Sequence, residues 1–131
     1  MKIMTFNANG IRSAATKGFF TWLAGQRPDV LCLQETKAQE HQLPPEVQQL
    51  KGYHCYFHDA VKKGYSGVAI YARKEPDDVL TKLGRPSFDD EGRYIEARFG
   101  NLSVVSMYFP SGSSGDERQQ FKFKTMEWLK P

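Results

Sequence analysis

Three stretches of this chain would be apolar on both faces of a strand, and no other feature constrains its fold as much. They are residues 29–34 (Asp-Val-Leu-Cys-Leu-Gln), 67–73 (Gly-Val-Ala-Ile-Tyr-Ala-Arg) and 102–109 (Leu-Ser-Val-Val-Ser-Met-Tyr-Phe). A short continuous apolar run reads as a strand buried on both faces. Strands are further expected at 2–7, 53–58, 78–83 and 94–99, with Gly100-Asn101 giving a two-residue hairpin signal between the last pair. A helix is expected over 15–26, where Phe19 and Leu23 lie four apart with Trp22 beside them. Pro28 ends it, because the residue before a proline is pushed out of the helical region. A second helix is expected from Asp116, which can cap it, with Gln119 three residues on. Each apolar face must be buried against another layer. Two helices cover one face of such a sheet, and no remaining stretch is marked to cover the other. The expectation is an α/β protein that forms half of a sandwich.

With 131 residues the chain is long enough for one compact domain, and it shows no repeat, low-complexity block or long linker. Its 18 basic and 15 acidic residues give a net charge of +3, which suits a polyanion-binding surface without requiring one. Cys32 and Cys55 both fall in strand-like runs, as expected of packed, reduced thiols. A zinc site would need more ligands at tighter spacing. The Met1-Lys2-Ile3-Met4 start runs into polar Thr5 and Asn7, unlike a secretory leader. No apolar stretch approaches the roughly 20 residues that span a bilayer. The expectation is a soluble cytoplasmic protein with no membrane partner.

Five polar constellations sit at predicted strand ends, and each has a plain reading beside a chemical one. Asn7-Ala8-Asn9-Gly10-Ile11-Arg12 is a turn, or two amides pointing the same way from an extended segment. Leu33-Gln34-Glu35-Thr36-Lys37 leaves the end of a buried strand. Glu35 there is a solvated carboxylate paired with Lys37, or a ligand of the kind α/β folds hold outside strand ends. Magnesium usually takes one or two carboxylates with water and phosphate oxygens. Gly64-Tyr65-Ser66-Gly67 is a hairpin turn, or flexible backbone able to approach a phosphate. Glu91-Gly92-Arg93 is a surface ion pair or a phosphate contact. Tyr108-Phe109-Pro110-Ser111-Gly112 carries a packed phenol or one that bonds a phosphate oxygen.

Each signal is weak alone, but their order is specific. Asn-x-Asn-Gly-Ile-Arg, Leu-Gln-Glu-Thr-Lys, Gly-Tyr-Ser-Gly-Val-Ala, Glu-Gly-Arg and Tyr-Phe-Pro-x-Gly follow one another as in the exonuclease III and abasic-site (AP) endonuclease family. That family lies within the endonuclease/exonuclease/phosphatase superfamily, and the chain resembles it over essentially its whole length. The resemblance implies half of a four-layer, DNase I-like α/β sandwich: a mixed, mostly antiparallel sheet with helices on one face. It implies Glu35 as the metal-binding glutamate and Asn9 as a metal-proximal residue. Asn7 resembles the asparagine of the catalytic network, and Tyr108 the tyrosine on the scissile phosphate. Arg12, Lys37, Gly64, Tyr65 and Arg93 resemble backbone-phosphate contacts, which position DNA without reading its sequence. The implied cofactor is Mg2+, or Mn2+ in its place. The implied substrate is double-stranded DNA, cut at abasic sites or trimmed from 3′ ends during base excision repair.

The family's Gly-Asp-x-Asn segment, its later aspartate and its C-terminal histidine have no counterpart here, since His41, His54 and His58 lie in other contexts. The expectation is therefore that residues 1–131 are the N-terminal half of a single domain, the C-terminal half being absent. Such a half would be inactive alone and would seek the missing half or another copy through an uncovered sheet face. Two other readings stay open: a non-catalytic half that needs a partner, and a superfamily phosphoesterase acting on RNA or lipid head groups.

Overall fold

Strand β2 (Val30–Gln34) forms the axis of the first sheet, with Val30 to Leu33 all buried. It pairs in parallel with β1 (Ile3–Asn7) and antiparallel with β4 (Val68–Ala72). The outermost strand, β3 (His54–His58), pairs antiparallel with β4, giving the order β1-β2-β4-β3. A second sheet is antiparallel throughout: β5 (Asp78–Leu80), β6 (Tyr94–Phe99) and β7 (Leu102–Met107). The structure is a computed structural model and describes residues 1–82, 84 and 86–108.

Period-two alternation divides the side chains of β2 and β4 between two cores. Leu31, Leu33, Ala69 and Tyr71 face one way and pack with Ile11, Leu23 and Val47. Ile11 comes from α1 (Ile11–Thr16), Leu23 from α2 (Phe19–Gln26) and Val47 from α3 (Pro45–Gln48). The buried Tyr71 phenol donates to the Val47 carbonyl at 2.6 Å and ties α3 to the sheet. Val30, Cys32, Val68, Ile70 and Ala72 face the other way, onto Ile95, Ala97 and Val104 of the second sheet. Burying each large aliphatic side chain contributes about 1.5–3 kcal/mol, so both cores contribute substantially to stability.

This arrangement corrects one expectation. The three strands apolar on both faces do not share one sheet: the strand at 102–107 stands in the second sheet and covers the face of the first that had no assigned cover. The described residues thus form helix, sheet and sheet layers. The α/β class holds, with one parallel pair among otherwise antiparallel strands. The outer face of β7 shows Ser103 and Val105 as exposed. The sheet edge along β1 is also open among the described residues, with Ile3 and Phe6 exposed on the strand and Trp22 nearby on α2.

The helix expected over 15–26 is two helices. Gly18 breaks it at a φ of +88°, where residues with a Cβ are strained. α2 ends at Arg27, which takes the left-handed conformation just before Pro28. A one-turn 3-10 segment at Glu40–Gln42, α3 and a short α4 (Pro86–Asp89) lie in stretches expected to be loops. The helix expected from Asp116 and the Phe109–Gly112 part of the last motif lie outside the described residues.

Candidate active site

Hydrogen bonding between β1 and β2 continues past the strand ends and draws their loops together. The backbone N–H groups of Ala8, Gly10 and Ile11 donate to the carbonyls of Gln34, Glu35 and Thr36 at 2.8–2.9 Å. The loop before β4 is joined to the same place, as Thr36 N donates to the Gly67 carbonyl and Lys37 N to the Ser66 carbonyl. On the second sheet, Tyr108 N donates to the Arg93 carbonyl at 2.9 Å. Beneath the loops, Gln34 Nε2 donates to Ser106 Oγ at 3.0 Å, and Ser106 Oγ donates to the Leu33 carbonyl. That bridge fixes the two sheets relative to each other directly below Glu35.

Backbone strain concentrates here. Asn9, Glu35, Lys37 and Ser66 have φ between +45° and +52°, and among the described residues only Arg27 joins them as a non-glycine at positive φ. Each such residue costs about 1–3 kcal/mol and persists only where its surroundings over-determine it. The loop-to-loop ladder supplies that constraint.

The side chains form one network. Asn7 Nδ2 donates to Glu35 Oε1 at 2.9 Å, and Asn7 Oδ1 accepts the Asn9 N–H at 3.0 Å. The Lys37 ammonium donates to Asn9 Oδ1 at 2.6 Å and lies 3.5 Å from Glu35 Oε2. The Tyr108 phenol lies close enough to the Glu35 carboxylate to feel its charge. Burial pushes the Tyr108 phenol above its ordinary range, and the Glu35 charge pushes it further, while Arg93 opposes them. The phenol therefore stays protonated and able to donate at neutral pH.

Asn7, Asn9, Glu35 and Lys37 thus come together, with Tyr108 close to Glu35. The remaining expected contacts differ in exposure. Arg12 is exposed on α1 and lines a groove of about 600 Å³ with Phe20, Gln42 and Glu46. Gly64 is an exposed turn residue at φ +69°, and Tyr65 beside it is half-buried. Arg93 is only 2% exposed: Glu91 Oε1 accepts from its Nε at 2.7 Å, the Tyr65 phenol from Nη2 at 2.8 Å, and the Tyr108 carbonyl from Nη1 at 3.2 Å. Ser106 escaped the sequence reading; its only signal was a serine on the inward face of an apolar strand.

A divalent cation fits the chemistry of this donor set. The Lys37 ammonium stands in for one, because Asn9 Oδ1 and Glu35 Oε2 both turn toward it. Magnesium needs only one or two protein carboxylates. Among the described residues there is no cluster of three or more histidine, cysteine, aspartate or glutamate side chains that could hold a metal by themselves.

Stacked sheets flanked by helices, with polar loops gathered at one end, are the DNase I-like class of α/β fold. Within that class the chain belongs to the Endonuclease/Exonuclease/phosphatase family, whose sequence profile it matches over residues 4–130. It is 39% identical over 129 residues to an exodeoxyribonuclease of Bacillus subtilis, covering 98% of this chain and 49% of that protein. Among solved structures it resembles an AP endonuclease from Archaeoglobus fulgidus, with a TM-score of 0.83, 39% identity, and coverage of 98% of this chain and 49% of the other. It also resembles a 3′ phosphatase from Neisseria bound to product DNA hairpin, with a TM-score of 0.84, 31% identity, and coverage of 98% and 49%. The chain spans about half the length of these relatives.

Proposed function

We propose that this chain supplies the metal- and phosphate-binding half of a Mg-dependent phosphodiesterase that hydrolyses DNA backbones at abasic sites and trims 3′ ends. The observation that carries the proposal is the network joining Glu35, Asn7, Asn9 and Lys37 at the strand ends, with the Tyr108 phenol near enough to feel the Glu35 charge. Glu35 and Asn9 would hold the cation, Mg2+ or Mn2+. Bound there, such a cation supplies charge stabilisation for a phosphate. Asn7 keeps the Glu35 carboxylate oriented, and Lys37 offers positive charge beside it. The protonated Tyr108 phenol can donate to a phosphate oxygen. Arg12, Lys37, Gly64 and Tyr65 provide backbone-phosphate contacts at the accessible rim, consistent with sequence-independent positioning. The group that takes the proton from the attacking water is assigned to a complementary half.

The chain is read as one half of a single catalytic domain, needing that complement for activity. The partner is proposed to dock along the open β1 edge. Strand N–H and C=O groups unpaired among the described residues, with Ile3, Phe6 and Trp22 exposed nearby, favour addition of an extended segment. A strand added there would end beside Asn7. Reduced Cys32 and Cys55 thiols accord with a cytoplasmic setting, and no helix among the described residues is long and apolar enough to cross a membrane.

The test mixes this chain with the portion of an exodeoxyribonuclease relative that it does not cover and assays nicking of an abasic duplex with Mg2+. Nicking by the mixture, lost in Glu35→Gln, is the expected result. A mixture that associates but turns over a phosphoinositide instead would favour a different phosphoesterase. One that associates and cleaves nothing would leave only a binding half.

A further inference from the structure

Arg93 was expected at a DNA-facing surface, yet its side chain is enclosed where three loops meet. Its guanidinium carbon lies 5.1 Å from the Tyr108 ring centroid and 5.6 Å from that of Tyr65, both within cation–π range. Glu91 fixes one edge of the guanidinium plane and the Tyr65 hydroxyl another. The backbone adds a reciprocal pair: Tyr108 N donates to the Arg93 carbonyl, and Arg93 Nη1 donates to the Tyr108 carbonyl. Gly92, just before it, sits at φ +58° with the His58–Ala60 backbone so close that a Cβ would lie 2.5–2.8 Å from it. The strand entrance carrying Arg93 is therefore held on both sides. A five-donor planar fork satisfies three acceptors at fixed angles, which a lysine ammonium cannot reproduce.

We propose that Arg93 is a positioning residue, whose buried guanidinium clamps Tyr65 and Tyr108 so that the Tyr108 phenol is presented to Glu35. It contacts phosphate only through the tyrosines it places. This rests on the reading of Glu35 and Tyr108 as parts of a phosphodiesterase site, but its principal test needs no DNA and no turnover.

The experiment labels tyrosine ring carbons in the purified chain and follows the Tyr65 and Tyr108 ring signals by NMR at fixed pH in wild type, Arg93→Met and Arg93→Lys. In Arg93→Met the Tyr65 and Tyr108 ring signals should shift together. In Arg93→Lys they should shift as well, because an ammonium keeps the charge but cannot satisfy three acceptors at fixed angles. Should Arg93→Met fail to fold, Glu91→Gln loosens the clamp without emptying it, and is expected to move both rings by a smaller amount. Tyr65 and Tyr108 ring signals unmoved in folded Arg93→Met, or in Glu91→Gln where Met does not fold, would overturn the proposal. Binding of an abasic duplex at several salt concentrations is the second readout. A direct phosphate contact would lower the salt slope by roughly 0.9, whereas a positioning residue weakens binding and leaves the slope unchanged. A lowered slope would return Arg93 to the DNA track. Failure of the nuclease reading would appear instead as no abasic nicking in the complemented wild type, with the tyrosine result intact.

Discussion

Asn7 uses both ends of its side-chain amide: Nδ2 donates to Glu35 Oε1 at 2.9 Å while Oδ1 accepts the Asn9 N–H at 3.0 Å. The carboxylate is thereby oriented by a residue on the neighbouring strand, and the Asn9 turn is fixed by the same side chain. Asn7→Ala should lose both bonds at an exposed position, at a net cost of about 0.5–1.5 kcal/mol each at most. The complemented enzyme should lose far more activity than that stability change explains. Urea unfolding paired with the nicking assay measures the two effects. Equal small losses in both would reduce Asn7 to a turn residue.

Gly67 and Gly92 are the glycines whose replacement should do most damage. A Cβ on Gly67, at φ +88°, would collide with the buried Thr36 side chain. One on Gly92 would meet backbone atoms of residues 58–60, which cannot rotate away. Alanine at Gly92 should therefore destabilise more than alanine at Gly67, both by more than the roughly 1 kcal/mol of an ordinary glycine exchange. Thermal unfolding of the two variants gives the order directly.

Tyr71→Phe isolates one polar bond in an apolar core. The phenol donates to Val47 O at 2.6 Å, and its removal leaves a carbonyl without that partner. A loss of about 1–3 kcal/mol is expected, with hydrogen exchange accelerated around α3 before the rest of the first sheet. Uniform acceleration would mean that α3 is not separately tethered.

Burial raises the Cys32 thiol from 9.0 to about 11. The folded state holds this proton more tightly than the unfolded chain. The stabilisation it represents is therefore complete below pH 9 and is lost as pH rises from 9 to about 11, by roughly 3 kcal/mol. Burial shifts the Tyr94 and Tyr71 phenols the same way. Stability measured in urea should decline from pH 9 upward, and Cys32→Ala should flatten the first part of that decline. Cys32 should also resist alkylation at pH 8 until the protein unfolds.

Much of this molecule is legible in its sequence, because burial writes itself as uninterrupted apolar residues. β2 and β4 declare themselves that way, and Gly100-Asn101 marks the β6–β7 hairpin. The division into two sheets does not show, because an apolar strand states that both its faces are covered but not by what. That is why β7 was expected within the same sheet as β2, when it covers β2 from the sheet opposite. The helix break at Gly18 was hidden by Phe19, Trp22 and Leu23, whose spacing continues the helical pattern. At the site, the order of motifs brought Asn7, Asn9, Glu35, Lys37 and Tyr108 together on paper as the fold does in space. The burial of Arg93 was not readable, since its enclosure depends on Tyr65 and Tyr108, 28 and 15 residues away.

The central claim is that Glu35 and Asn9 hold a divalent cation, and Mn2+ titration of the 15N-labelled chain tests it most directly. Paramagnetic broadening should begin at the amides of residues 7–10 and 35–37, then reach Tyr108, and Glu35→Gln should abolish it at the same Mn2+ concentration. Broadening that begins elsewhere, for instance at exposed Asp78 or Asp90, or that survives Glu35→Gln unchanged, would contradict the account.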